Sequence, residues 1–108
     1  MALYVVVPSR QDKQQRQVHL FIDEHSFIIK RIRNSDDYKL LNTVLEDYYG
    51  EDHEVQGNQL KQLLTEATTF EKTYGADFPP NVRIFYDGFL PLIAFAIENS
   101  NIIEFLTD

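Results

Sequence analysis

Residues 81–98, NVRIFYDGFLPLIAFAIE, decide how the rest of the chain must fold. At about 100° per residue, Val82, Phe85, Tyr86, Phe89, Leu92, Ile93, Ala96 and Ile97 share one broad sector, and Arg83, Asp87, Pro91 and Glu98 fall opposite. A proline inside a helix removes one backbone hydrogen bond and bends the rod. Here it lies on the polar side, where water satisfies the freed carbonyl of Asp87, so the spacing predicts one bent helix rather than two. An apolar face this wide must be covered by other elements.

Working outward, Asp77, Phe78, Pro79 and Pro80 turn the chain into this helix, since consecutive prolines suit a turn and a first helical turn but no interior. Upstream, Leu60, Leu63, Leu64, Ala67, Phe70 and Tyr74 recur at helical spacing, with Asn58 as the expected cap and Gly75 as the stop. Residues 51–57, EDHEVQG, read as a connector whose only apolar anchor is Val55. Before it, Ser35 begins another helix: Tyr38, Leu41, Val44, Leu45, Tyr48 and Tyr49 share one side, Lys39, Asn42, Thr43, Glu46 and Asp47 the other, and Gly50 ends it as a left-handed cap.

The two ends of the chain read as strands. Residues 3–7, LYVVV, form a β-branched run closed by Pro8; residues 102–106, IIEFL, follow a break at 98–101 and are expected to pair with it. Residues 9–17, SRQDKQQRQ, have no apolar anchor and suit a solvated loop. Residues 18–22 and 27–32, divided by Asp23, Glu24, His25 and Ser26, have the spacing of a hairpin, although neither alternates cleanly and the second also suits the opening of a helix. The sequence therefore predicts one α+β domain over residues 1–108, a small sheet of three to four strands packed against three helices.

Eight Phe and six Tyr are enough to fill such a core. The absence of cysteine excludes disulfides, thiolate metal sites and cysteine nucleophiles, and fits a reducing compartment. The start, MALYVVVP, has no basic region and too short an apolar run for a secretion signal or membrane span, so the chain reads as cytoplasmic. The net charge of −7 is unevenly spread. Residues 1–33 hold six bases against three acids, whereas residues 36–54 hold seven acids against Lys39 alone. A field of that sign repels phosphate and attracts basic partners.

No constellation specifies a reaction. His19 sits in a strand candidate and His25 in a turn, neither with a partner at helical ligand spacing; His53 lies among Glu51, Asp52 and Glu54, but adjacent loop residues rarely converge on one ion, and the pattern of a calcium loop is missing. None of Ser9, Ser26, Ser35 and Ser100 lies in the glycine-flanked turn of a serine nucleophile, and Gly50, Gly57, Gly75 and Gly88 are too dispersed for a phosphate cradle. Glu46 and Asp47 belong to an outward face, where carboxylates are solvated. Arg10, Lys13, Arg16, Lys30, Arg31 and Arg33, with Phe21 or Phe27 to stack, are the residues a nucleic acid would use, against the field of the rest of the chain. The reading is a protein without catalytic residues, metal or cofactor, and without direct contact to nucleic acid or membrane.

Three features together resemble the small immunity proteins of bacterial polymorphic and contact-dependent toxin systems: the acidic helix, the run Glu54-Val55-Gln56-Gly57-Asn58-Gln59-Leu60 leading into Leu63-Leu64, and Phe95-Ala96-Ile97-Glu98-Asn99 before Ile103-Glu104-Phe105. The resemblance covers roughly residues 44–106. It implies a cytoplasmic, non-enzymatic inhibitor that occupies the active site or a nearby exosite of a cognate toxin, commonly a basic nuclease. The charge pattern leads to a similar surface, drawn from Asp36, Asp37, Glu46, Asp47, Tyr48, Tyr49, Glu51, Asp52 and Glu54, in which carboxylates steer the partner and tyrosines anchor it. The alternatives are an inhibitor or adaptor that mimics nucleic acid, and a small enzyme built on His53.

Overall fold

The computed structural model describes residues 3–8, 16–46, 51–99 and 102–107. Along the chain these form β1 (Leu3–Val7), β2 (Arg16–Leu20), α1 (Ile22–Ile32), a 3-10 turn (Asp36–Tyr38), α2 (Lys39–Glu46), β3 (His53–Val55), α3 (Asn58–Tyr74), a second 3-10 turn (Gly75–Asp77), α4 (Pro80–Glu98) and β4 (Ile103–Thr107). The strands make one antiparallel sheet in the order β2-β1-β4-β3. This is an α+β fold.

The pairing of the chain's two end strands is as the sequence predicts, with Val5 opposite Phe105. Alternation then sorts the side chains. Leu3, Val5, Val7, Leu20, Val55, Ile103 and Phe105 face the helices and join the core; Tyr4, Gln17, His19, Glu54, Glu104 and Leu106 lie on the other face, exposed or half-buried.

α4 is one continuous helix, as predicted, with Pro80 in its first turn and Pro91 exposed inside it. Its apolar sector supplies Val82, Phe85, Tyr86, Phe89, Leu92, Ile93 and Ala96 to the core. An aromatic cluster joins it to α3: the Phe70 and Tyr86 rings stack at 5.8 Å, and Phe78 packs against both. Arg83 closes this end, donating to Glu71 Oε2 at 2.8 Å and lying over the Phe78 ring.

Three expectations are corrected. The hairpin is absent: residues 22–32 are a helix, buried on the face of His25, Ile28, Ile29 and Ile32. That spacing is helical, and the two acids in the first turn with Lys30 and Arg31 in the last complement the dipole. Among the described residues the helices are therefore four, not three, and His25 lies in a helix rather than a turn. Residues 53–55, read as connector, form an edge strand, Val55 opposite Ile103; three residues are too few for periodicity to reveal. The cap of α3 is Gly57, at φ +60°, not Asn58, which is already helical; only glycine adopts that angle without strain. Gly75 keeps a right-handed φ of −58° and leads into the second 3-10 turn.

Ser35 does cap the first 3-10 turn, accepting from Asp37 N–H at 3.3 Å. The start of α2 has a second acceptor, foreign to its own sequence. Glu66, buried on α3, accepts from Leu41 N–H at 2.8 Å and Leu40 N–H at 3.4 Å, and Gln62 Nε2 donates to it at 2.9 Å. A carboxylate at the positive end of a helix satisfies donors that would otherwise be orphaned.

Candidate functional site

The acidic residues fall into two groups. Asp36 and Asp37 are exposed in the 3-10 turn at the start of α2; Glu46 is exposed at its far end, eight helical residues on, a rise of about 12 Å. Glu51, Asp52 and Glu54 are exposed on and before β3, the short edge strand. Asp47, Tyr48 and Tyr49 lie outside the described residues, as does Gly50.

The sheet adds a carboxylate that the sequence reading omitted. Glu104 on β4 is directly opposite Glu54 on the outer face. Like charges in that position destabilise a strand pair by about 0.2–1 kcal/mol. Beside them Asp52 is held in place, its Oδ1 accepting from Thr107 N–H at 2.9 Å and from the Thr107 hydroxyl at 3.2 Å. Among the described residues no Lys, Arg or His forms an ion pair with Asp36, Asp37, Glu46, Glu51, Asp52, Glu54 or Glu104; the ion pairs found there join Arg83 to Glu71 and Asp87. The signal for Glu104 was its place in a closing strand, which only the register converts into a neighbour of Glu54.

The cations are partly committed elsewhere. Arg31 donates to the Phe27 carbonyl at 2.9 Å and stacks 3.7 Å from that ring's centre, and Arg16 stacks 3.9 Å from the centre of Phe95. Arg10 and Lys13 lie outside the described residues.

Among the histidines, His25 is buried and its Nε2 donates to the carbonyl of Leu45, tying α1 to α2. Burial holds its pKa below the ordinary value, Arg33 adding to this and the Leu45 hydrogen bond opposing it. His19 is exposed on β2, edge-on to Tyr4 across the strand pair at 4.7 Å. His53 is half-buried on β3, its Nε2 buried and without a hydrogen-bond partner among the described residues. Among those residues no three His, Asp or Glu side chains gather as a metal ion would require.

A second feature was not foreseen. A groove of about 620 Å³ opens beside β2, walled by Gln17, Val18 and His19 on the strand, Phe21 and Glu24 at the start of α1, and Asn81, Ile84 and Phe85 on α4. Phe21 is 51% exposed and Ile84 73% exposed, with Ile22 beside them at 47%. These are the large apolar side chains left in water among the described residues. Glu24 is buried in the groove wall, and its Oε2 has no hydrogen-bond partner among the described residues. The helical wheel left Ile84 outside the apolar sector of α4, and the hairpin reading hid Phe21 in a strand.

Comparison of the chain with protein-family models, with curated proteins and with solved structures finds no match. The geometry alone therefore bears on function. No helix among the described residues is long and apolar enough to cross a membrane.

Proposed function

We propose that this chain is a non-catalytic, cytoplasmic binding protein of the immunity type, which neutralises one cognate bacterial toxin with a basic surface. A nuclease is the toxin class that fits best, because a surface of this charge competes for the site that binds phosphate. The observation that carries the reading is the carboxylate group at the β3 edge: Glu54 set against Glu104, Asp52 pinned beside them, and none of the three ion-paired to a cation among the described residues. A strand edge that keeps an unfavourable pair, with no cation among the described residues to offset it, is what an external cation would repay. Glu51, together with Asp36 and Asp37 in the first 3-10 turn and Glu46 at the end of α2, extends the field that steers such a partner; Asp47, Tyr48 and Tyr49 belong to the same proposed contact.

The experiment is capture of the partner from the source cell on the tagged chain, then stopped-flow association with the captured protein at rising salt. Association should be fast and fall steeply with ionic strength. Glu51→Lys, Glu54→Lys and Glu104→Lys combined should slow it by at least about tenfold. An association rate indifferent both to salt and to this triple reversal would remove the acidic edge from the interface. Inhibition of several unrelated nucleic-acid enzymes, rather than of one toxin, would favour a mimic of nucleic acid.

A further inference from the structure

We propose that the groove beside β2 binds a small arylalkylamine, its ammonium group donating to Glu24 and its ring lying against Phe21 and Ile84. At about 620 Å³ the groove has the size of pockets that take small ligands, which are apolar with a few polar groups to orient the occupant. Its walls come from three elements: Val18 of β2, Phe21 at the start of α1, and Ile84 and Phe85 of α4. α4 is packed tightly onto β2 at Gly88, where a Cβ would stand 2.7 Å from Val18 Cγ1, so the groove is already formed before any ligand arrives. Phe21 and Ile84 keep more than half of their surface in water there.

Glu24 selects the chemistry of the ligand. It is 7% exposed, forms part of the groove lining, and accepts no hydrogen bond from the described residues. Its Oε2 is sealed into the wall; Oε1 is not sealed with it, and is the acceptor the groove offers. A buried carboxylate without a donor has lost its water and gained nothing in exchange, a large penalty that a cation or a strong donor removes. Among the described residues no Lys or Arg lines the groove, so the cation must come from outside. The remaining surface sets the rest of the ligand. Phe21 stands edge-on to the His19 ring, with centroids 6.2 Å apart, and gives the groove an aromatic rim that suits a ring and, beside it, an ammonium group. The site is at the opposite edge of the sheet from β3, and shares no residue with the acidic surface proposed for the toxin.

Titration of the full chain with tryptamine, followed by calorimetry and by amide chemical shifts, tests the proposal. Tryptamine should saturate one site with a Kd below about 1 mM. Tryptophol and indolepropionate, which carry the same ring and linker but a hydroxyl or a carboxylate in place of the amine, should bind at least about tenfold more weakly. Shifts should centre on Val18, Glu24 and Ile84 and leave Glu54 still. Glu24→Gln should weaken tryptamine by about tenfold and leave tryptophol as it was, while Phe21→Ser, at a position half in water, should weaken both. Circular dichroism of the two variants should match the wild type, and the ranking of the three probes on the wild type decides even where a variant fails to fold. Failure of tryptamine to saturate, equal affinity for all three probes, or a Glu24→Gln protein that keeps its preference for the amine overturns the proposal. Shifts that follow the β3 edge overturn it as well, since they mark a cation held only by the net charge of −7.

Discussion

The two edges of the sheet are made differently. β3 is three residues long and presents Glu54 beside Glu104; β2 is five residues long, carries no Lys or Pro, and is bordered by Phe21, Ile22 and Ile84 in water. Natural sheets guard their edges with short strands and charge, because an open edge recruits other strands. β3 has both guards. β2 has neither, since its one cation, Arg16, is turned onto the Phe95 ring. The difference teaches that a single small sheet can offer two unlike surfaces, one that refuses strands and attracts cations, and one suited to a strand and apolar side chains.

The comparison depends on the helices that hold each edge, and the largest expected effect lies on the acidic side. Glu66 fixes the start of α2, the helix that leads toward β3. Glu66→Ala removes a charged acceptor from two backbone donors, and hydrogen bonds to charged groups contribute about 1.5–3 kcal/mol. Urea unfolding should show a loss of about 3 kcal/mol. Glu66→Gln, which keeps an acceptor, should lose clearly less; equal losses would mean that packing rather than capping holds this end.

On the apolar side the joint is Gly88. A Cβ there would stand 2.7 Å from Val18 Cγ1, so α4 approaches β2 more closely than any other residue permits. Alanine gains about 1 kcal/mol of helix propensity but overpacks the contact by about 1–3 kcal/mol. Gly88→Ala should therefore destabilise by about 1 kcal/mol, and adding Val18→Ala should recover most of it. A stabilised Gly88→Ala would show that β2 yields easily and that the groove is not a fixed feature.

What the sequence made legible followed the length of each element. α3 and α4 repeat their apolar spacing over four or more turns, and the end strands are dense enough in β-branched residues to be found and paired. α1 was misread because Phe27, Ile28 and Ile29 form a β-like run within a helix whose buried face needs His25 and Ile32 to be recognised. β3 is too short to show a period at all. Charge along the chain marks Glu51, Asp52 and Glu54 but not Glu104, which becomes their neighbour only across the sheet. The groove combines three separate segments, and no local pattern announces such a meeting.

His25 ties the two sides together: it belongs to the helix that follows β2 and donates to the end of the helix that leads to β3. Its pKa in the folded chain lies below the ordinary 6.5. Above that value both folded and unfolded chains hold it neutral. As pH falls through it, the unfolded chain takes up a proton that the folded chain refuses, so stability declines, by up to about 1.4 kcal/mol per pH unit, until the folded value is reached. His25→Gln keeps a donor for the Leu45 carbonyl and should remove this part of the slope. Identical pH profiles of the two proteins would mean that the ring is not the titrating tie.

The smallest effect is the most pointed for the acidic edge. Glu104→Lys replaces a like-charged cross-strand pair with an opposite one and should stabilise the chain by about 0.2–1 kcal/mol, with Glu104→Gln giving part of that gain. High salt should shrink the difference, because the groups are at the surface and screened. No such gain should follow from His19→Lys on β2, where the facing residue is Tyr4. If Glu104→Lys stabilises and also slows partner association, the pair is held at the expense of folding and in favour of binding. If it stabilises without touching association, the two carboxylates are an unhelpful neighbourhood and nothing more. If it does not stabilise, Glu54 and Glu104 point far enough apart in solution to ignore each other, and β3 loses the feature that sets it against β2.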